Sequence, residues 1–371
     1  MKKTLLGILS LSLVLSACGN EKAKDEENII SSEPLATESQ VTETKEEGAD
    51  KYQVTIYDYF DTVTTFTAYT DDEAEFDKYK DLVEEKMAYY HKLFNSYDGF
   101  DGVNNFYTIN QNAGEKAVKV EKPVIDLIKV GQEWYKETDG KIDIGAGSLL
   151  SIWNEARDRA LADPDKAKLP EKSELKEAAK HMDINAIEVN EEDSTVYIND
   201  KDVQIDIGAI GKGYATELIK QDLIKAGLKN GILSVGGDVA IIGDNPSRDN
   251  GKFAIAVQNP DQSSSNSYSS IVYITDTSVV TSGDYQRYFE IDGRKYHHII
   301  DTDTLEPSTR YKSISVIMDD IGQADALSTA LFVEDREKGE ELAKKFDAEV
   351  FWIDNEGNEY KTKGYEKYEK E

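Results

Sequence analysis

Apolar side chains in this chain change their period in blocks, and that order constrains the fold more than any other feature. Residues 72–94 place Phe76, Tyr79, Leu82, Met87, Tyr90 and Phe94 on one helical stripe, and Lys122-Pro123 opens a second helix running to residue 138. Residues 149–162 and 171–182 read as shorter helices. Ahead of them, residues 52–69 alternate through Val54, Ile56, Phe60 and Phe66 as a strand does. From residue 187 extended runs take over, at 187–189, 195–198, 204–207, 231–235, 253–257, 270–275, 288–291, 295–300 and 313–318, interrupted by a helix at 214–226. Helices at 323–332 and 336–346 and a strand at 349–353 close the chain. Elements that arrive in blocks favour an α+β fold over a doubly wound parallel sheet, and no internal repeat is present.

Charge and cysteine usage narrow the function. The 371 residues carry 43 Lys plus Arg against 73 Asp plus Glu, a net charge of −30. Such a surface repels a polyanion over most of its area, which excludes nucleic acid as a partner and requires a local exception wherever a phosphate is handled. The one cysteine, Cys18, leaves no room for an internal disulfide framework, a thiolate zinc site or a CxxC redox pair. It follows a positive start, Met1-Lys2-Lys3, and a leucine-rich apolar run over residues 4–16, the pattern of a secretory signal. That run falls short of the roughly 20 apolar residues a transmembrane helix needs. Leu15-Ser16-Ala17-Cys18 resembles a bacterial lipobox, which implies removal of residues 1–17 and lipidation of Cys18 on the extracytoplasmic face of the cell membrane; an ordinary signal whose cleavage site contains a cysteine is the alternative. Residues 18–50 then read as a disordered acidic tether, since from residue 19 they hold no aromatic side chain and ten acids against three bases. Residues 51–371 are the globular body.

Five stretches of that body can carry chemistry. Asp206-Ile207-Gly208-Ala209-Ile210-Gly211-Lys212-Gly213 lies between a strand and a helix, where free N–H groups and a positive dipole end suit an anion and Lys212 adds a point charge. It is no Walker loop, because Gly213 stands where Ser or Thr is required; a tight turn with an exposed lysine looks the same. Gly236-Gly237-Asp238 marks either a hinge between strands or a close approach. Asp325 and Thr329 are four apart on one helical face, an oxygen pair suited to magnesium or calcium and unsuited to zinc, or else a small-residue helix packed closely with its polar atoms capped. His297 and His298 precede Asp301 on a predicted strand, so at most one of them faces a given site; a neutral imidazole near a carboxylate can accept a hydroxyl proton, and a packed histidine competes with that reading. Ser282-Gly283-Asp284-Tyr285 followed by Arg287 reads as a turn with an anion-binding arginine, and His91 reads as structural.

In this order the stretches resemble the flavin transferase family, often called the ApbE family, which moves FMN from FAD onto a threonine of a partner protein. The resemblance rests on DIGAIGKGYA at residues 206–215, VGGD at 235–238, SGDYQRY at 282–288, HHIID at 297–301 and ADALSTA at 324–330. It implies a single ApbE-like (T-fold-like) α+β domain over residues 51–371, with a mixed, largely antiparallel sheet and packed helices. It implies that the carbonyl of Ala209 and the side chains of Asp325 and Thr329 hold Mg2+. Phe60, Tyr97, Lys141, Ile142, Asp143, Asp206, Lys212, His298 and Ile299 would contact FAD, the substrate, with His298 and Asp301 in the catalytic role. The implied partner is an extracytoplasmic flavoprotein that presents a threonine, and AMP is the leaving product. The chain departs from the family pattern in three places: Thr302 and Leu305 replace a proline and a glycine, Ile144-Gly145-Ala146-Gly147-Ser148 replaces a Thr-Val-Gly-Pro run, and Phe60-Asp61-Thr62 replaces Met-Gly-Thr. An FAD pyrophosphatase yielding free FMN and AMP, or a non-catalytic FAD-binding lipoprotein, would use the same residues.

Overall fold

The computed structural model of the protein describes residues 41–46 and 49–370. The expected signal segment, Cys18 and most of the tether lie outside the described residues. In the first half of the chain the strands are β1 (Val41–Glu46), β2 (Ala49–Ile56), β3 (Thr64–Thr70), β4 (Val118–Lys119), β5 (Ile187–Asn190) and β6 (Thr195–Ile198). The helices there are α1 (Glu73–Leu93), α2 (Phe106–Gln111), α3 (Lys122–Glu137), α4 (Gly147–Ala162) and α5 (Lys172–Ala178). Helix α6 (Gly211–Ala226) then leads into β7 (Gly231–Val235), β8 (Asp238–Ile242), β9 (Phe253–Gln258), β10 (Tyr268–Ile274) and β11 (Ser278–Gly283). Short strands β12 (Tyr288–Ile291), β13 (Arg294–His297), β14 (Ile300–Asp301) and β15 (Glu306–Pro307) precede β16 (Tyr311–Met318). The chain ends with α7 (Ile321–Val333), α8 (Arg336–Lys345), β17 (Glu349–Asp354) and β18 (Glu359–Lys361).

The α+β expectation holds. A nine-stranded sheet runs β1-β2-β3-β7-β8-β11-β16-β17-β18 and is antiparallel at every pairing. Among the described residues the parallel pairing is an isolated bridge between Ala146 and Gln204. Both faces of the sheet are covered, and β8 shows why its apolar run is continuous. Ala240 and Ile242 point into a core shared with Phe76 and Val83 of α1, Ile219 of α6 and Leu327 of α7. Val239 and Ile241 point the other way, onto Phe253, Ile255, Val272 and Ile274 of the β9–β10 hairpin. A strand buried on both sides loses its polar alternation. A third core joins Leu149, Trp153 and Ala156 of α4 to Phe289, Tyr296 and Ile300.

Several elements differ from their sequence reading for identifiable reasons. Residues 52–69 form two strands, because Phe60 and Asp61 take φ of 57° and 50° and turn the chain back. Residues 204–207 form no ladder: Ile205 exchanges both main-chain hydrogen bonds with the side chain of Asn110, and the Asp206 N–H goes to the Ile144 carbonyl. The run 295–300 breaks after His297, since the His298 N–H reaches back to the Arg287 carbonyl and the Ile299 N–H to the His297 ring. Helix α6 begins at Gly211, three residues early, which puts Lys212 inside its first turn. Strand β11, read as part of a turn, is central to the sheet. Strand β1 pairs with β2 inside the segment read as tether, so ordered chain begins upstream of residue 51.

Helices α6 and α7 are locked together by buried charge. Glu217 and Lys220 form a 2.7 Å ion pair on α6; Glu217 also accepts the Ile321 N–H at 3.1 Å, and Lys220 donates to the Asp319 carbonyl at 2.8 Å. Removing one partner of such a pair leaves an uncompensated charge and an orphan N–H at the start of α7. Glu217→Ala is expected to cost about 3–5 kcal/mol of folding stability and Glu217→Gln clearly less. Urea unfolding midpoints of the three proteins measure this, and equal midpoints contradict it.

Candidate active site

The site is built where the first turn of α6 meets α7. Gly213 is required there: a Cβ on it would lie 2.3 Å from Asp325 Cβ and 2.9 Å from the Ile321 carbonyl oxygen. Its absence lets the Gly213 N–H donate to Asp325 Oδ2 at 2.7 Å. The start of α6 has no side-chain cap, since Ile210 occupies the capping position, so this carboxylate from α7 satisfies one of the N–H groups that a helix start leaves over. Asp325 is buried, and its Oδ1 lies 3.4 Å from Lys212 Nζ. Lys212 also pairs with Asp238, buried at the start of β8. Two buried carboxylates therefore share one ammonium, which leaves excess negative charge in a small volume.

That donor set fits the expected hard cation. Asp325 and Asp238 offer carboxylate oxygens, Thr329 lies one turn beyond Asp325 on α7, and Ala209 sits half-buried in the turn that enters α6, with no sulfur or imidazole among them. A different set, His181, Asp200 and Asp202, is the one group of three His, Asp or Glu ligand atoms within metal-binding reach of one another among the described residues. It is half-exposed, Lys201 already pairs with Asp202 at 2.9 Å, and its histidine makes it a poorer match to magnesium.

The remaining expected residues fall into four groups. Tyr97 donates to Asp206 Oδ2 at 2.7 Å and accepts from Asn154 of α4 at 3.0 Å, while Asp206 Oδ1 takes the Gly208 N–H at 2.7 Å and shapes the glycine turn. The structure thus brings Tyr97 and Asp206 together and adds Asn154. Lys141 pairs with Asp301 at 3.5 Å and Asp303 at 2.5 Å. Asp301 is buried and also takes the Asp303 N–H, so it is engaged with Lys141 and its own loop. Asp143 accepts the Gly145 N–H at 2.7 Å; burial, with the Asp183 charge adding to it, pushes its carboxyl up to about 6 against the opposing hydrogen bond. Ile142 and Ile299 are core residues, and both of their N–H groups are used internally, on Thr138 and His297.

The two histidines have different jobs. His297 Nε2 lies 2.6 Å from the Ser308 carbonyl oxygen and its Nδ1 accepts the Ile299 N–H, so both ring nitrogens are occupied. His298 Nδ1 is buried without a hydrogen-bond partner. Burial pushes His298 down to about 3, with the charges of Arg287, His297 and Arg157 acting in the same direction. It is a free base at neutral pH. Asn154 and Arg157 were absent from the sequence reading of the site, and Asp238 entered it only as the end of the Gly236-Gly237 stretch. Asp238 carried a signal, its place after two glycines; Asn154 and Arg157 are merely three apart on α4.

Two departures from the family pattern fall at positive φ. Asp61, at 50°, stands where the pattern has glycine, and so does Leu305, at 62°. The Leu305 carbonyl is held by Trp153 Nε1 at 2.9 Å, and its N–H by the Asp301 carbonyl at 2.8 Å. The loop after His298 is therefore tied down by contacts in place of a glycine.

An α+β fold whose glycine-rich helix start is faced by a lysine and two buried carboxylates defines a class of protein with a paired cation and anion site. Residues 53–352 match the profile of the ApbE family, and the chain belongs to that family. It is 30% identical over 250 residues, 64% of this chain and 67% of the relative, to an FAD:protein FMN transferase of Treponema pallidum. It is 27% identical over 285 residues, 76% of this chain and 78% of the relative, to one of Vibrio cholerae. Its fold resembles the ApbE protein of Thermotoga maritima, with a TM-score of 0.76 and 26% identity over 86% of this chain and all of that one.

Two outcomes follow from this geometry. Gly213→Ala forces α6 and α7 apart and is expected to cost about 1–3 kcal/mol, read as a lowered midpoint in urea. His298 binds its proton in the unfolded chain near the ordinary 6.5 but in the folded chain near about 3, so the unfolded state holds more protons between those values. Stability should rise with pH across that window more steeply in the wild type than in His298→Asn, as measured by urea midpoints at successive pH values; parallel profiles contradict the assignment.

Proposed function

We propose that this protein transfers FMN from FAD to a threonine hydroxyl on an extracytoplasmic acceptor flavoprotein, with Mg2+ bound at Ala209, Asp325 and Thr329. The observation that carries the reading is the meeting of Lys212, Asp325 and Asp238 at the first turn of α6. With one ammonium against two buried carboxylates the cluster is set to hold a cation, and Lys212 together with that cation would supply the local exception a chain of net charge −30 needs to handle a pyrophosphate. Support comes from family membership and from relatives named as FAD:protein FMN transferases.

The chain's own residues divide the work. Lys212 presents its ammonium to the diphosphate oxygens, and the start of α6, whose Gly213 N–H is already held by Asp325, adds the positive end of its dipole. A bound magnesium ion supplies further neutralisation of phosphoryl charge. Tyr97, fixed by Asp206 and Asn154, and Phe60 bound the flavin. His298, with Nδ1 unpartnered, accepts the proton of the attacking threonine hydroxyl once the phosphate charge of bound FAD raises its basicity from the folded value of about 3. Asp301 holds Lys141 and the loop that follows His298. The bond from the FMN phosphorus to the AMP oxygen breaks as the bond to threonine forms, and AMP leaves. The sequence of residues 1–18 supports a lipid anchor that keeps this chemistry outside the cell membrane.

The test mixes the purified full chain with FAD, Mg2+ and candidate threonine-bearing acceptors, then follows intact-protein mass and free AMP. An FMN adduct with one AMP released per adduct is expected, lost on chelation and reduced at least about 100-fold in Asp325→Ala. AMP with free FMN and no adduct would establish hydrolysis instead, and intact FAD would establish a carrier.

A further inference from the structure

We infer that His91 is a positioning residue for the flavin-facing turn, an inference that rests on the proposed FAD site. Between β2 and β3 the chain makes a turn in which two successive non-glycine residues, Phe60 and Asp61, sit at φ of 57° and 50°. Such backbone is disfavoured for residues with a Cβ, so the turn persists because its surroundings hold it. Three contacts do so. His91 Nδ1 accepts the Phe60 N–H at 3.1 Å. Arg287 Nη2 donates to the Asp61 carbonyl at 3.4 Å. Gly236 donates its N–H to the Val63 carbonyl at 2.9 Å and packs so tightly on Thr62 that a Cβ there would lie 2.6 Å from Thr62 Oγ1. Gly236 is two residues from Asp238, which pairs with Lys212, so the turn is tied to the same cluster of charges.

His91 is the contact with chemical selectivity. A main-chain N–H can only donate, so Nδ1 must be the acceptor, and the neutral ring carries its proton on Nε2. The ring is also packed, edge-on to Phe60 with centroids 5.8 Å apart, edge-on to Phe100 at 5.8 Å and tilted against Tyr59 at 5.9 Å. One side chain on α1 thus fixes both the backbone of Phe60 and the orientation of its ring. In the family pattern a glycine occupies the position of Asp61 and would adopt this backbone unaided. Here Arg287 holds the Asp61 carbonyl and His91 holds Phe60, the residue through which its effect reaches FAD.

The experiment separates hydrogen bond from ring. His91→Phe keeps an aromatic ring and removes the acceptor; His91→Asn keeps an acceptor at the position of Nδ1 and removes the ring. His91→Ala replaces the first should the larger ring not be accepted, with thermal unfolding as the check on folding. FAD affinity is read without acceptor protein by quenching of flavin fluorescence, and kcat and KM for FAD are read from transfer. The loss of one hydrogen bond that orders the turn predicts FAD binding about 10-fold weaker and KM raised alike in His91→Phe, with kcat within about 2-fold of wild type. His91→Asn should recover most of the affinity. In a Phe60→Ala background the His91→Phe effect should vanish, because the two residues act on one contact. Wild-type affinity in His91→Phe, no recovery in His91→Asn, or an undiminished effect in the Phe60→Ala background each overturns the inference. Absence of transfer by the wild type, with the affinity pattern intact, would instead count against the proposed function alone.

Discussion

The approach of α6 to α7 at Gly213 is the contact on which the rest of the site depends. Without a Cβ at that position, the main chain of α6 comes within hydrogen-bond reach of Asp325, and the carboxylate caps a helix start that has no cap of its own. The same contact sets the distance between Lys212 and Asp325 and the place of Thr329 one turn further on. Glu217 and Lys220 stiffen it from below, by tying α6 to the first residues of α7. Packing and electrostatics are therefore one problem here: the helices can be this close because charge at their interface is matched, and the charge is matched because they are this close.

Around that contact the protein concentrates a few basic groups in an otherwise acidic molecule. Lys212 lies between two buried carboxylates, Lys141 between Asp301 and Asp303, and Arg157 and Arg287 bear on His298. Each cation has a partner in the folded chain, so an anionic substrate exchanges existing contacts and does not meet bare charges. His298 is the exception in kind. Low dielectric surroundings and neighbouring positive charge keep it unprotonated, and its Nδ1 is unpartnered.

Much of the fold was legible because it is local. The stripe from Phe76 to Phe94, the Pro123 helix start, the pairs of short strands and the α+β order follow from side-chain period alone, and every α-helix but the short α2, which has no sequence counterpart, sits within a few residues of its expected place. The losses occurred where the backbone answers to distant partners. Residues 204–207 have strand composition but bond to Asn110 and Ile144, and residues 295–300 are interrupted because His298 and Ile299 donate to Arg287 and His297. The turn at Phe60 was read straight through, since nothing in an alternating run marks two residues that adopt positive φ only when His91 and Arg287 hold them. At the site, the glycine-rich motif, Lys212 and Asp325 were readable as candidates, whereas Asn154 and Arg157 had no signal beyond helical spacing.

What the sequence by itself determined is most of the helices and strands, the acidic surface with its few exceptions, and the glycines at which main chain must pass close to something. These are properties of composition and short-range order, and they survive whatever the elements later pack against. Only the tertiary structure decided what that something is. Lys212 and Asp325 are separated by 113 residues, and Tyr97 and Asp206 by 109. No periodicity carries information over such distances. The partners are selected by which faces of α6, α7, α4 and the central sheet are buried together, and the balance of charge follows from that packing.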